Sequence, residues 1–162
     1  MMSGTDTDFL TTVPILRWYY HGATTATSGN AGVCPAGLRA IPEPAVQISA
    51  TAEFDPGIVV IRREHLRAAK CTEPPVLVVE IRSPSTALID LGRKKAAYER
   101  FGVPSYWIVD PDVGHPSLTV FELAEDRYIE AAHVAGDEPF AARRPFPVNV
   151  VPSALVAGLR DH

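Results

Sequence analysis

Residues 76–110, VLVVEIRSPSTALIDLGRKKAAYERFGVPSYWIVD, contain the pattern that decides the fold of this chain. Residues 76–79 are aliphatic without interruption, which is typical of a strand covered on both faces of a sheet. Glu80 follows directly, and a carboxylate in such a place needs a cationic partner, a proton or a metal ion. From this strand alone, two interpretations stay open: an ion pair with Arg82 or another Arg, or a functional carboxylate.

The residues after this strand predict a helix and then a second strand. The helix should start near Thr86 and end at Gly102, because a stop signal follows Phe101 there. Residues 106–110 again form an apolar strand that ends in a carboxylate, so the three elements predict a right-handed crossover. Further along, residues 119–123 and 127–133 predict a hairpin at the edge of the sheet, and 152–159 a short closing helix.

One face of the predicted helix is polar. Asp90, Lys94 and Tyr98 recur every four residues, so their side chains share a face. Taken alone, this spacing favours a simple ion pair between Lys94 and Asp90, with the acid on the N-terminal side. The helix therefore supplies a cation near the first strand without proving a role for it.

Five segments, taken in order, carry a family resemblance. They are PAGLRAIPEPAVQIS, FDPGIVVIRREHL, PPVLVVEIRSPST, DLGRKKAAYERFGVPSYWIVDP and RPFPVNVVPSAL. Together they resemble the Uma-two family of restriction endonucleases, a branch of the PD-(D/E)XK nuclease superfamily. The resemblance implies an α/β fold with a restriction-endonuclease-like core, a mixed, bent β-sheet flanked by helices. It divides the chain into an atypical N-terminal segment, residues 1–34, with a loop-like or partly disordered composition, and a nuclease-like domain, residues 35–162.

The same resemblance implies a metal-dependent site for hydrolysis of DNA phosphodiester bonds. Mg²⁺ (or Mn²⁺) would polarise the phosphoryl group and acidify a water molecule. By the match, Glu80 is a catalytic metal ligand, Ile81 lends its backbone carbonyl to the metal, and Lys94 is the catalytic lysine. Arg82 stands where the superfamily often has that lysine, but an Arg cannot be deprotonated, so Lys94 is the better candidate.

The chain departs from the family pattern at the first acidic ligand. Gly57 stands where the resemblance implies a metal-binding Asp, and Asp55 lies two residues earlier. Two residues of strand span about 6–7 Å, so Asp55 is a metal ligand only if the chain folds back locally. The alternative is an ordinary turn through Asp55, Pro56 and Gly57. This incomplete acidic site predicts an endonuclease that is attenuated or inactive, the alternative being a non-catalytic DNA-binding or protein-interaction module that retains the fold.

Composition agrees with one domain. The chain has 162 residues, 46% of them hydrophobic, enough for a single core and without an apolar run that could span a bilayer. The start carries Asp6 and Asp8 instead of basic residues, which predicts a cytoplasmic protein with no membrane partner. Cys34 and Cys71 lack metal-binding spacing and are interpreted as reduced and structural.

Charge gives a divided indication about partners. The formal net charge of −4 argues weakly against a general nucleic-acid binder. Basic residues nevertheless cluster within residues 62–70 and 93–95, where a solvated helix face and a phosphate-contacting role stay open. DNA is the partner that the family resemblance implies, and the remodelled N-terminal segment leaves a homodimer open as well.

Overall fold

The computed structural model describes residues 34–65, 70–82 and 88–156. The predicted N-terminal segment, apart from Cys34, and the predicted helix start at Thr86 lie outside the described residues. Within those ranges no helix is long and apolar enough to cross a membrane.

The described chain consists mainly of short strands. In chain order they are β1 Leu38–Pro42, β2 Ala45–Ser49, β3 Ala52–Phe54, β4 Ile58–Arg62, β5 Lys70–Cys71, β6 Leu77–Ile81, β7 Ser105–Asp110, β8 Ser117–Ala124, β9 Arg127–Ala135, β10 Phe140–Ala142 and β11 Val148–Val150. The helices are α1 Leu88–Phe101 and α2 Pro152–Leu155, and a 3-10 turn covers Arg63–His65.

A six-stranded mixed sheet organises these elements, in the order β1-β4-β6-β7-β8-β9. Strands β6 and β7 are parallel and are connected through α1, whereas the other neighbouring pairs in this sheet are antiparallel. The predicted α/β class, the crossover between strands and the hairpin at the sheet edge are therefore confirmed. Strands β3-β2-β5 and β10-β11 form two smaller sheets.

Helix α1 ends where the sequence predicts. Gly102 has a φ of +86°, a conformation that glycine adopts without a Cβ penalty. The backbone N–H groups of Gly102 and Val103 both donate to the Tyr98 carbonyl at 3.1 Å, which satisfies an otherwise unpaired carbonyl of the last turn. This end sets the register at which the chain enters β7.

The two faces of the large sheet have different cores. The face here called the apolar face is covered by β10, β11 and α2. Its buried residues are Ala40, Ile58, Val60, Leu77, Val79, Trp107, Val109, Leu118, Val120, Val134, Ala142, Phe146, Val150, Leu155 and Val156. The other, here called the aromatic face, lies under α1 and β2. Its buried residues are Val46, Val59, Ile61, Cys71, Val78, Tyr98, Val103, Tyr106, Phe121 and Tyr128.

Candidate active site on the aromatic face

Glu80 lies at the end of β6 with its side chain on the aromatic face. Strand alternation sends the neighbouring Val79 and Ile81 to the apolar face, where both pack in the core. Glu80 is 5% exposed and is the one buried charged side chain of the described residues. The prediction that this carboxylate needs a partner can therefore be tested directly.

Two side chains of α1 bind the Glu80 carboxylate. Lys94 Nζ lies 3.4 Å from Oε2, and the Tyr98 hydroxyl donates a hydrogen bond of 3.1 Å to Oε1. Lys94 also lies 3.5 Å from Asp90 Oδ2, and its side chain is only 17% exposed. The predicted ion pair between Lys94 and Asp90 is thus present, but Lys94 forms a second ion pair with Glu80 at the same time.

Arg82 is engaged elsewhere. Its guanidinium forms a 2.7 Å ion pair with Asp110 at the end of β7, and its backbone N–H donates to the Val109 carbonyl at 2.8 Å. The interpretation in which Glu80 pairs with an Arg is therefore wrong, since the cation beside Glu80 is Lys94. The parallel pairing of β6 with β7 explains this outcome, because it aligns the two strand ends and brings Arg82 to Asp110.

Burial dominates the electrostatics of the site. It raises the pKa of Glu80 above its ordinary value of 4.5, Lys94 and the hydrogen bond from Tyr98 partly offset that effect, and the Asp90 charge adds to it. Burial and the Glu80 charge also raise the pKa values of Tyr98 and Tyr106 well above the ordinary phenol value. Tyr98 therefore keeps its proton at neutral pH and serves as a hydrogen-bond donor to the carboxylate.

Aromatic rings form the floor beneath Glu80. The Tyr98 ring centroid lies 5.3 Å from that of Tyr106 and 5.7 Å from that of Phe54, and Tyr106 lies 5.8 Å from Tyr128. Such contacts add to the stability gained from area burial and restrict ring motion. They hold the Tyr98 hydroxyl in place and keep bulk water away from the buried side of the carboxylate.

Gly57 precedes β4 and lies beside the end of β6, because Ile58 pairs with Val79. A Cβ at Gly57 would lie 3.2 Å from Ile81 Cδ1 and Cγ1 and 3.3 Å from the Val79 carbonyl oxygen. These distances are tighter than ordinary van der Waals contact. A side chain at this position would therefore start against Ile81, whose own side chain packs on the apolar face.

Asp55 is exposed in the connection between β3 and β4. With Pro56 and Gly57 it forms the short connection between the two strands, with a bend at Gly57. The described ranges contain no group of three or more His, Cys, Asp and Glu residues that could hold a metal ion. A metal role for Asp55 stays a prediction.

The donors that the structure brings together fit a divalent cation poorly. A hard cation such as Mg²⁺ is usually held by carboxylates and other oxygen ligands with several positions left to water. Here Lys94 and Tyr98 already contact one oxygen each of the Glu80 carboxylate, and the nearby Asp90 carboxylate is itself paired with Lys94. The predicted site residues Glu80 and Lys94 are in contact, whereas Gly57 has no side chain and so provides no carboxylate there.

Sequence reasoning missed two members of this cluster. Tyr98 and Asp90 were predicted to share a helix face with Lys94, but not to act on Glu80. The four-residue spacing could have identified them, because a helix face that brings Lys94 to a strand carboxylate brings its i−4 and i+4 neighbours along.

A mixed sheet with a buried strand-end carboxylate and a lysine from the crossover helix defines a restriction-endonuclease-like α/β protein. The chain belongs to the Uma2 family, described as putative restriction endonuclease, whose model matches residues 30–155. It is also similar in fold to a solved structure from Anabaena variabilis, titled a putative nuclease belonging to DUF820. That similarity has a TM-score of 0.59 at 16% sequence identity and covers 98% of this chain and 84% of the other. No curated protein matches the chain.

Proposed function

We propose that this chain is a DNA-directed member of the family in which Mg²⁺- or Mn²⁺-dependent phosphodiester hydrolysis is strongly attenuated or lost. The observation that supports attenuation is that the neighbouring strand end gives Glu80 no second acidic side chain. Its carboxylate is already bound by Lys94 and Tyr98, and Gly57 stands at the neighbouring strand end. A DNA substrate forms part of the same proposal and rests on the family resemblance. A cytoplasmic location and a homodimer are retained as further parts of the proposal.

The residues have separate tasks in the proposed activity. A divalent ion, if bound, would supply Lewis-acid polarisation of the phosphoryl group and a more acidic water. Glu80 would hold the ion, with the Ile81 carbonyl and Asp55 as further candidate oxygen donors. Lys94 offsets negative charge, and Tyr98 orients the Glu80 carboxylate.

Attenuation follows from competition for the same oxygens. An ion that binds Glu80 must displace or share the contacts of Lys94 and Tyr98. With a single carboxylate, the attraction gained offsets little of the cost of removing water from the ion. We therefore expect weak metal binding that depends on Glu80.

Calorimetric titration with Mn²⁺ tests the ligand role. Wild type should bind weakly and Glu80→Gln should bind no Mn²⁺ at the same concentrations. Glu130→Gln is the matched control, because this exposed residue of β9 loses the same charge at the edge of the sheet. Equal Mn²⁺ binding by wild type and Glu80→Gln would contradict the assignment.

Nicking of plasmid DNA with Mn²⁺ tests the activity. We expect very slow cleavage by wild type, none by Lys94→Ala, and wild-type cleavage by Lys95→Ala, which removes the adjacent cation. Robust wild-type cleavage would contradict attenuation. If that cleavage also vanished in Asp55→Ala, Asp55 would be the missing ligand.

The alternative function is a non-catalytic binding module. The ion pair from Lys94 to both Glu80 and Asp90 favours it, because that bridge already satisfies the buried carboxylate without a metal. DNA binding that is unchanged by chelator and by Glu80→Gln, with no cleavage by any variant, would support this alternative.

A further inference from the structure

A groove of about 650 Å³ lies beside the candidate site, between α1 and the hairpin of β2 and β3. Helix α1 contributes Arg93, Ala97 and Arg100 to its wall, and the hairpin contributes Thr51 and Phe54. It is distinct from the Glu80 cluster, which uses the neighbouring face of the same helix. The question is what chemistry such a groove accepts.

The three consecutive basic residues of α1, at positions 93–95, point in different directions, and one of them lines this groove. Lys94 points to Glu80, and Lys95 Nζ lies 4.0 Å from the centroid of the Phe121 ring. Arg93 lines the groove instead. Successive residues of a helix point in directions about 100° apart, since one turn takes 3.6 residues. The three consecutive cations therefore face three different surroundings, and only Arg93 of the three faces the groove.

The groove has positive charge available for a ligand. The Arg93 side chain is 73% exposed, and its ion pair with Asp90 is long, at 3.8 Å. Such exposed pairs contribute less than about 1 kcal/mol, so a phosphate can replace Asp90. Arg100 has no acidic partner within 4.0 Å in the described ranges. The acidic lining residue Glu53 is already neutralised by Lys70 at 2.5 Å.

The two arginines of the groove lie on one side of α1. Arg93 and Arg100 are seven residues apart on one helix, which corresponds to about 10.5 Å along its axis. Seven residues make nearly two full turns, so both side chains leave the same side of the helix. Both guanidiniums can therefore contact phosphates of one strand.

The rest of the lining fits the bases of a single strand. Phe54 and Phe101 are half-buried in the groove wall, and Thr51 adds a hydroxyl. Grooves that bind single strands combine cations for the backbone with aromatic side chains for the bases. Phe54 also packs on Tyr98, which binds Glu80, so the groove adjoins the candidate active site.

We propose that the groove between α1 and the β2–β3 hairpin binds a single strand of nucleic acid, with Arg93 and Arg100 on its phosphates. The inference rests on the proposed function, since it names the path by which that substrate lies beside Glu80. It requires no metal ion and no hydrolysis.

Fluorescence anisotropy in chelator tests the groove separately from catalysis. The probe is a labelled single-stranded DNA of about 16 nucleotides, the upper end of known site sizes for one binding fold. The double variant Arg93→Gln plus Arg100→Gln should weaken binding roughly tenfold or more at 0.1 M salt. It should also reduce the slope of log affinity against log salt concentration by about 1.4, since two phosphate contacts are lost. The matched control is Arg143→Gln, Arg144→Gln, which removes two exposed cations that flank the apolar face and should bind like wild type.

Four results would overturn the inference. The first is that wild type does not bind the single-stranded DNA, and the second is that the groove and control variants lose the same affinity. The third is that a duplex of the same sequence binds more tightly than the single strand. The fourth is that polyglutamate of equal total charge displaces the DNA, since the groove would then recognise only negative charge. Because chelator removes divalent ions, a failed groove test leaves the metal titration of Glu80→Gln unaffected, and the reverse also holds. The two proposals therefore fail separately.

Discussion

The two faces of the central sheet differ in what they bury. The apolar face contains aliphatic side chains with Trp107 and Phe146, and no buried ionisable group among its described members. The aromatic face buries Glu80 together with tyrosine hydroxyls, and a lysine covers it. One face stabilises the fold, whereas the other accepts the free-energy cost of a buried carboxylate, and such costs are characteristic of functional sites.

A single strand supplies both faces. Val79 and Ile81 of β6 pack on one side, and Glu80 between them faces the other. The two faces therefore differ because different elements cover them. Strands β10 and β11 and helix α2 cover the apolar face, whereas α1, with its polar side chains, covers the aromatic face. Substitutions on each face should reveal this difference as different responses of stability.

The largest effect should come from the apolar face. Leu118 is fully buried, and Leu118→Ala should lower the free energy of unfolding by about 2–5 kcal/mol, because it removes apolar contacts and leaves a cavity. Urea denaturation measures this loss. Ile129→Ala, on a side chain that is 54% exposed, should change stability by less than about 0.5 kcal/mol. A similar cost for both variants would contradict the assignment of this face as the stabilising core.

The second effect concerns the cation of the aromatic face. Lys94→Ala should cost about 1–3 kcal/mol at pH 7, because it leaves the buried Glu80 carboxylate without its cationic partner. Lys95→Ala is the neighbouring control and should cost about 0.5–1 kcal/mol, the value of a cation–π contact. Combining Lys94→Met with Glu80→Gln should recover most of the loss. Equal, small losses for Lys94→Ala and Lys95→Ala in urea denaturation would show that the ion pair with Glu80 contributes nothing.

The third effect tests the boundary between the faces at Gly57. Gly57→Asp should cost about 1–2 kcal/mol, because its Cβ would lie 3.2 Å from Ile81 side-chain atoms and one of them must move. Adding Ile81→Val removes one methyl group at this contact and should restore part of the stability in thermal denaturation. If Gly57→Asp alone is as stable as wild type and gains Mn²⁺ affinity, the position is open toward Glu80 and our geometric argument is wrong.

The smallest effect is a pH dependence. Burial raises the pKa of Glu80, so the native state binds its proton more tightly than the unfolded chain does. The stability from this group is fully present below the ordinary value of 4.5 and is lost as pH rises through the raised native value. In chelator, Glu80→Gln should therefore gain stability relative to wild type between acidic and neutral pH. A constant difference in unfolding free energy across that range would contradict the raised pKa.

Much of the fold could be predicted because it depends on local patterns. The aliphatic run before Glu80 predicts β6, the spacing up to Gly102 predicts α1, and residues 119–123 and 127–133 predict the β8–β9 hairpin. Strand order across the sheet could not be predicted from these patterns. It depends on pairings between residues distant in sequence, such as Ile58 with Val79.

The candidate site divides in the same way. Sequence alone identified Glu80 as an unusual carboxylate, because charge in an aliphatic strand is visible without a structure. The family resemblance pointed to Lys94 as the lysine of the site, whereas the four-residue spacing by itself favoured only its pair with Asp90. Only the tertiary structure decided that Lys94 joins Glu80 to Asp90, that Arg82 binds Asp110, and that a side chain at Gly57 would meet Ile81. The physical reason is that ion pairs, burial and steric limits depend on distances of a few ångströms between elements, which the packing of α1 on the sheet determines.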